Sequence, residues 1–133
     1  MIRPIRKDDF NIDQKELFRL QNNRYDLIQN EIINSLDEFF KDRITSGYTV
    51  LEETDIPYTM FSMQFQMYNY FNVIFNYDRG ASGCAIVTGD MGIGLDSSQK
   101  WYDKADMNIF LKEIQQQLEL RIPDKFLEYN SWK

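Results

Sequence analysis

The sequence predicts an α+β domain: an N-terminal helix or helix pair, an antiparallel sheet of four to five strands, then a C-terminal amphipathic helix and a short final one. Three observations lead there. A helical apolar period fills the first third, strict alternation replaces it in the middle, and the helical period returns near the end. The 133 residues suit one domain, taken as 1–133. A chain of this size buries roughly 65–70% of its unfolded surface. The 43% apolar share, with 15% aromatics, argues against disorder.

The first segment runs from about Asp13 to Arg43. Phe18, Tyr25, Ile28, Ile32, Leu36 and Phe39 form a stripe at spacings of three, four and seven. Asn11 or Asp13 caps its start, Gln21-Asn22-Asn23 offers a break into two, and Ser46-Gly47 ends it. The period then drops to two. Phe61, Met63, Phe65 and Met67 alternate with Ser62, Gln64 and Gln66 in Tyr58–Met67, and Phe71, Val73, Phe75 and Tyr77 continue beyond Asn69. Gly47–Glu53 and Cys84–Thr88 read as flanking strands, and Met91–Leu95 as a short fifth. Turns at Glu53–Pro57, Asp78–Gly83 and Gly89-Asp90 leave only short connections, which implies a meander. Met107, Phe110, Leu111, Ile114 and Leu118 then mark an amphipathic helix capped by Asp103 or Asp106. Pro123 stops that helix and opens another over Pro123–Tyr129.

Composition narrows the function. The chain has no histidine, hence neither the commonest general base nor the commonest transition-metal ligand. One cysteine, Cys84, builds neither a disulfide framework nor a structural zinc site and reads as a small buried hydrophobe. The N-terminus turns charged at once, without the apolar stretch of a signal peptide, and no run approaches a membrane span. These features predict a cytoplasmic protein with no cofactor, no metal and no membrane association. Gly89–Gly94 is glycine-rich but lacks the lysine and hydroxyl of a phosphate loop, so a turn or bulge between edge strands is expected.

Charge is unevenly placed. Residues 47–96 hold six acids (Glu52, Glu53, Asp55, Asp78, Asp90 and Asp96) and one base, Arg79, leaving 15 acids and 14 bases elsewhere. Nearly the whole net charge of −6 therefore sits in the middle of the chain. A nucleic-acid binder needs the opposite sign. An acidic surface steers a basic partner, so these six acids are the candidate partner-binding residues. Asp90 and Asp96 are also considered as an acid–base pair, although nothing in the sequence brings them together. Tyr68, Tyr70, Phe71, Phe75, Tyr77, Trp101 and Tyr102 divide between core and interface anchors, since Tyr and Trp are enriched at interfaces.

The C-terminal part, about residues 98–133, carries "KWYDKAD" and then an amphipathic helix running into "LELRIPDKFLEYNSWK" with Trp132 near its end. It resembles the ending of bacterial immunity proteins from contact-dependent inhibition and related polymorphic-toxin systems. The resemblance implies a cytoplasmic inhibitor that binds one cognate toxin domain and covers its active site. Many such toxins are nucleases with basic substrate surfaces, which acidic side chains mimic by standing in for phosphates. The motif carries no site residue over. The expected state is a monomer alone, or one-to-one with its partner. The alternatives are another acidic inhibitor, antitoxin or adaptor, phage or plasmid encoded, a self-assembling structural protein, and a small carboxylate-dependent enzyme.

Overall fold

The computed structural model describes residues 23–133. Helix α1 spans Arg24–Phe40, with Ile28, Ile32, Leu36 and Phe40 buried at every fourth residue. One face of the helix is thus apolar. Phe40 is fully buried, whereas Phe39 packs edge-on against it with ring centroids 5.0 Å apart. Asn23 is the N-cap residue, so the suggested break coincides there with a helix start; Asn11, Asp13 and Phe18 lie outside the described residues. A 3-10 turn over Lys41–Arg43 ends the helical segment before Ser46-Gly47.

Five strands follow: β1 Thr49–Thr54, β2 Met60–Met67, β3 Phe71–Asp78, β4 Ala81–Thr88 and β5 Met91–Leu95. Their order in the sheet is their order in the chain, and every neighbouring pair is antiparallel. The α+β fold is the one expected from the change of period. β4 starts at Ala81, three residues before its predicted start, because Arg79 and Gly80 alone turn the chain. Both have positive φ (53° and 97°), the twist that two-residue hairpins favour. Gly83 lies inside the strand opposite Asn76; its small size on the open face hides the strand from pattern reading.

Alternation sorts the side chains. Phe61, Phe65, Val73, Phe75, Tyr77, Cys84, Ile86 and Leu95 point toward the helices and are buried. Gln64, Gln66, Asn72 and Asn76 point the other way and are partly or fully exposed. Among the described residues, helices cover one face of the sheet. A 3-10 turn over Tyr102–Lys104 leads to helix α2, Met107–Glu119, which Asp106 caps by accepting hydrogen bonds from the backbone N–H of Asn108 and Ile109 at 3.0 and 3.3 Å. α2 buries Phe110, Leu111, Ile114 and Leu118, with the Phe110 ring edge-on to Phe75 at 6.0 Å. Helix α3, Asp124–Tyr129, starts after Pro123 and returns Trp132 to the core, edge-on to Tyr68 at 5.3 Å. Tyr68 and Asn69 take positive φ (60° and 51°) in the β2–β3 turn. Tyr68 is held there by full burial, by its N–H donated to the Arg43 carbonyl at 2.8 Å, and by its hydroxyl donated to Glu119 at 2.8 Å.

Candidate partner interface

The meander places both ends of the charge-rich segments at sheet rims. At one rim meet the β1–β2 loop, the Arg79-Gly80 turn and the stretch Trp101–Asp103, because Trp101 bridges to Ala81. Three apolar side chains stand exposed here: Ile56 at 83%, Trp101 at 60% and Tyr58 at 37%. The Trp101 ring lies over Gly80, 3.9 Å from where a Cβ would sit. The Arg79 guanidinium covers the Tyr58 ring at 4.3 Å and donates to Asp78 at 2.9 Å. Tryptophan, tyrosine and arginine gathered on one rim have the composition of interface anchors. Of the seven aromatics singled out, Tyr68, Phe75 and Tyr77 are core, Phe71 and Tyr102 are half-buried, and Tyr70 and Trp101 are exposed.

The six acids do not form one cluster. Asp55 faces the start of α1: its carboxylate accepts the N–H of Arg24 at 3.0 Å and of Tyr25 at 3.2 Å, and the Thr59 hydroxyl at 3.0 Å. It serves as the helix cap that Asn23 does not supply. Glu53 shares the helix-facing row with Phe61 and accepts from the side-chain amide of Gln29 at 3.0 Å. Glu52 and Asp78 share the open face, in the rows of Ser62 and Met60. Asp78 is partly neutralised by Arg79. Asp90 sits in the β4–β5 turn and Asp96 follows Leu95. These two carboxylates flank β5 at opposite ends, roughly 20 Å apart along an extended strand. That is too far for an acid–base pair across a single bond. Among the described residues, Glu52, Asp90 and Asp96 have no side-chain hydrogen bond or ion pair; they and Glu53 are exposed, whereas Asp55 and Asp78 are only partly so.

Local sequence carries no sign that Glu53 and Asp55 tie into α1, because their partners on that helix stand 24 to 31 residues away. The rim anchors Ile56 and Tyr58 were missed for a related reason: apolar residues in a predicted turn carry no period. Burial pushes the Cys84 thiol up to about 12, which keeps it protonated and unreactive. No group of three or more Cys, Asp or Glu residues among the described residues is arranged to hold a metal ion. No described helix is long and apolar enough to cross a membrane. Comparison with protein-family models, with curated proteins and with solved structures returns no match, so the site rests on its own chemistry.

Proposed function

We propose that this chain is an immunity-type inhibitor that binds a cognate toxin domain with a basic, nuclease-type surface and blocks its active site in the cytoplasm. The observation that carries the reading is the charge placement. Residues 47–96 hold six acids against one base, and four of those acids, Glu52, Glu53, Asp90 and Asp96, are exposed. A nuclease surface is basic because it neutralises phosphates, so carboxylates brought to it replace the nucleic acid electrostatically. Ile56, Tyr58 and Trp101 supply apolar anchorage, and the exposed acids supply steering. The C-terminal resemblance to immunity proteins points the same way. The chain itself needs no catalytic group for this work.

Co-expression tests the reading. The chain should protect cells from the C-terminal domain of a large secreted protein encoded beside its gene, and failure to protect against any such domain overturns the proposal. With that domain in hand, association should slow as salt rises. Reversing Glu52, Asp90 and Asp96 together to lysine should slow it about tenfold or more. Reversing Glu38 and Glu128 on the helices is the control. Equal slowing per reversed charge in both variants would show that net charge, and no particular face, does the steering.

A further inference from the structure

The two outer edges of the sheet differ. β1 is blunted by a bulge at Leu51, between Val50 and Glu52, and by the charges of Glu52 and Glu53. β5, Met-Gly-Ile-Gly-Leu, carries no charge, no proline and no bulge. Its far side meets no strand among the described residues. One residue past its end, the Gln117 side chain reaches from α2 and pairs with the main chain of Asp96. Its carbonyl accepts the Asp96 N–H at 2.8 Å, and its amide donates to the Asp96 carbonyl at 2.5 Å. A side-chain amide thus occupies the first position of an absent sixth strand. Main-chain direction alternates along a strand, so the N–H and C=O of Gly94 and Gly92 point the same way as those of Asp96.

We infer that the outer edge of β5 is a strand-addition site that takes an extended segment of another protein, with alternate apolar side chains and a basic residue at each end. The alternation follows from the faces. On the helix side a sixth strand would lie beside Met91 and Ile93, which are 72% and 42% exposed, and beside Leu95. On the other side it would lie beside Gly92 and Gly94. A Cβ at Gly94 meets nothing within 4 Å, leaving room for large side chains from the incoming strand. Main-chain pairing would supply the affinity, and these alternating sites the selectivity. The basic ends follow from charge. Asp90 and Asp96 bracket the strand, and their carboxylates bond no other side chain among the described residues. The same bracket disfavours a second copy of this chain. The antiparallel register that overlaps two β5 strands fully sets Ile93 against Ile93, and so Asp90 of each copy against Asp96 of the other. The inference does not depend on the partner's being a toxin.

The test is an amide-resolved NMR titration of the full chain with two synthetic peptides, Lys-Val-Tyr-Val-Tyr-Val-Lys and the same sequence with glutamate at both ends. In the free monomer the Gly92 and Gly94 amides should exchange without protection, while those of Ile93 and Leu95, turned toward β4, exchange slowly. The lysine peptide should shift and protect Gly92 and Gly94, and the glutamate peptide should bind about tenfold more weakly at low salt. Gly94→Pro removes an outward N–H and should abolish binding while preserving the melting transition. A charge-swapped chain, Asp90→Lys with Asp96→Lys, should prefer the glutamate peptide, and it keeps the test open if the proline variant fails to fold. The inference is overturned by shifts confined to other residues or by no binding of either peptide. Protection in the free monomer would show the edge covered by this chain's own residues, and concentration-dependent protection would show it covered by a second copy; either result also overturns it.

Discussion

Asp55 shows how much one side chain can decide. It lies in the loop after β1, yet it closes the first turn of α1 by taking two backbone N–H groups that the helix itself leaves unpaired. Its negative charge also stands at the positive end of the helix dipole. Replacing Asp55 with alanine should cost about 1–2 kcal/mol in urea unfolding, and asparagine should recover part of that. A change within a few tenths would mean that the N-terminus of α1 contributes little to stability. From the sequence, Asp55 was one acid among six in a charged stretch. Asp106, by contrast, was legible as a cap, since the amides it caps are two and three residues away. The difference is reach along the chain. Periodicity and capping motifs register near neighbours, and tertiary capping has no local signature.

At the scale of elements, strong periods carried over well. The α2 stripe of Phe110, Leu111, Ile114 and Leu118 is buried as its spacing requires, and Met91–Leu95 forms the fifth strand. Phe110→Ala empties a fully buried position beside Phe75 and should cost about 3–5 kcal/mol, read from the shift of a denaturation midpoint. Polar links tie segments outside the strands to the helices in a way no period reveals. Tyr48 donates its hydroxyl to Asp37 at 2.7 Å, Tyr102 to Glu31 at 2.6 Å, and Tyr68 to Glu119 at 2.8 Å. Burial first, and then the carboxylate each one faces, raises all three phenols above their ordinary value. The stability they contribute is complete below about pH 10, where folded and unfolded chains both keep the proton. Above that pH the unfolded chain ionises while the native one resists, so stability should fall. Melting temperatures measured from pH 8 to 11 should therefore drop near the top of that range. The drop should be smaller in Tyr48→Phe/Tyr102→Phe, which lacks two of these phenols. An unchanged pH slope in the double variant would assign the alkaline loss to other groups.

For the molecule as a whole, the α+β architecture was legible because three periods occur in sequence and each strand pairs with the next. The candidate site was less so. Composition located the negative charge in residues 47–96, but only the register shows that it is spread over an open face, a rim and the two ends of β5. Ile56, Tyr58 and Trp101 come together on that rim from the β1–β2 loop and from a bridge to Ala81, neither of which has a repeat to read. Trp101→Ala should therefore weaken partner binding with little change in melting temperature. A large fall in stability would instead make Trp101 part of the fold.

The one-sided covering of the sheet also has a consequence for how the chain is made. Synthesis runs from the N-terminus at roughly 5–20 residues per second. The five strands leave the ribosome before α2 and α3, and each needs only its predecessor to pair. A nascent sheet ending at Leu95 can thus complete its hydrogen bonds while Phe75 and Ile86 still await the helix that covers them. For that interval, on the order of seconds, α1 is the one described α-helix already made that can shield its apolar face. Trp132, which follows α3, must then reach back to Tyr68. The described core thus closes at Trp132 after its other parts have assembled, so a chain cut just before that residue should fold in outline and stay open at its seam.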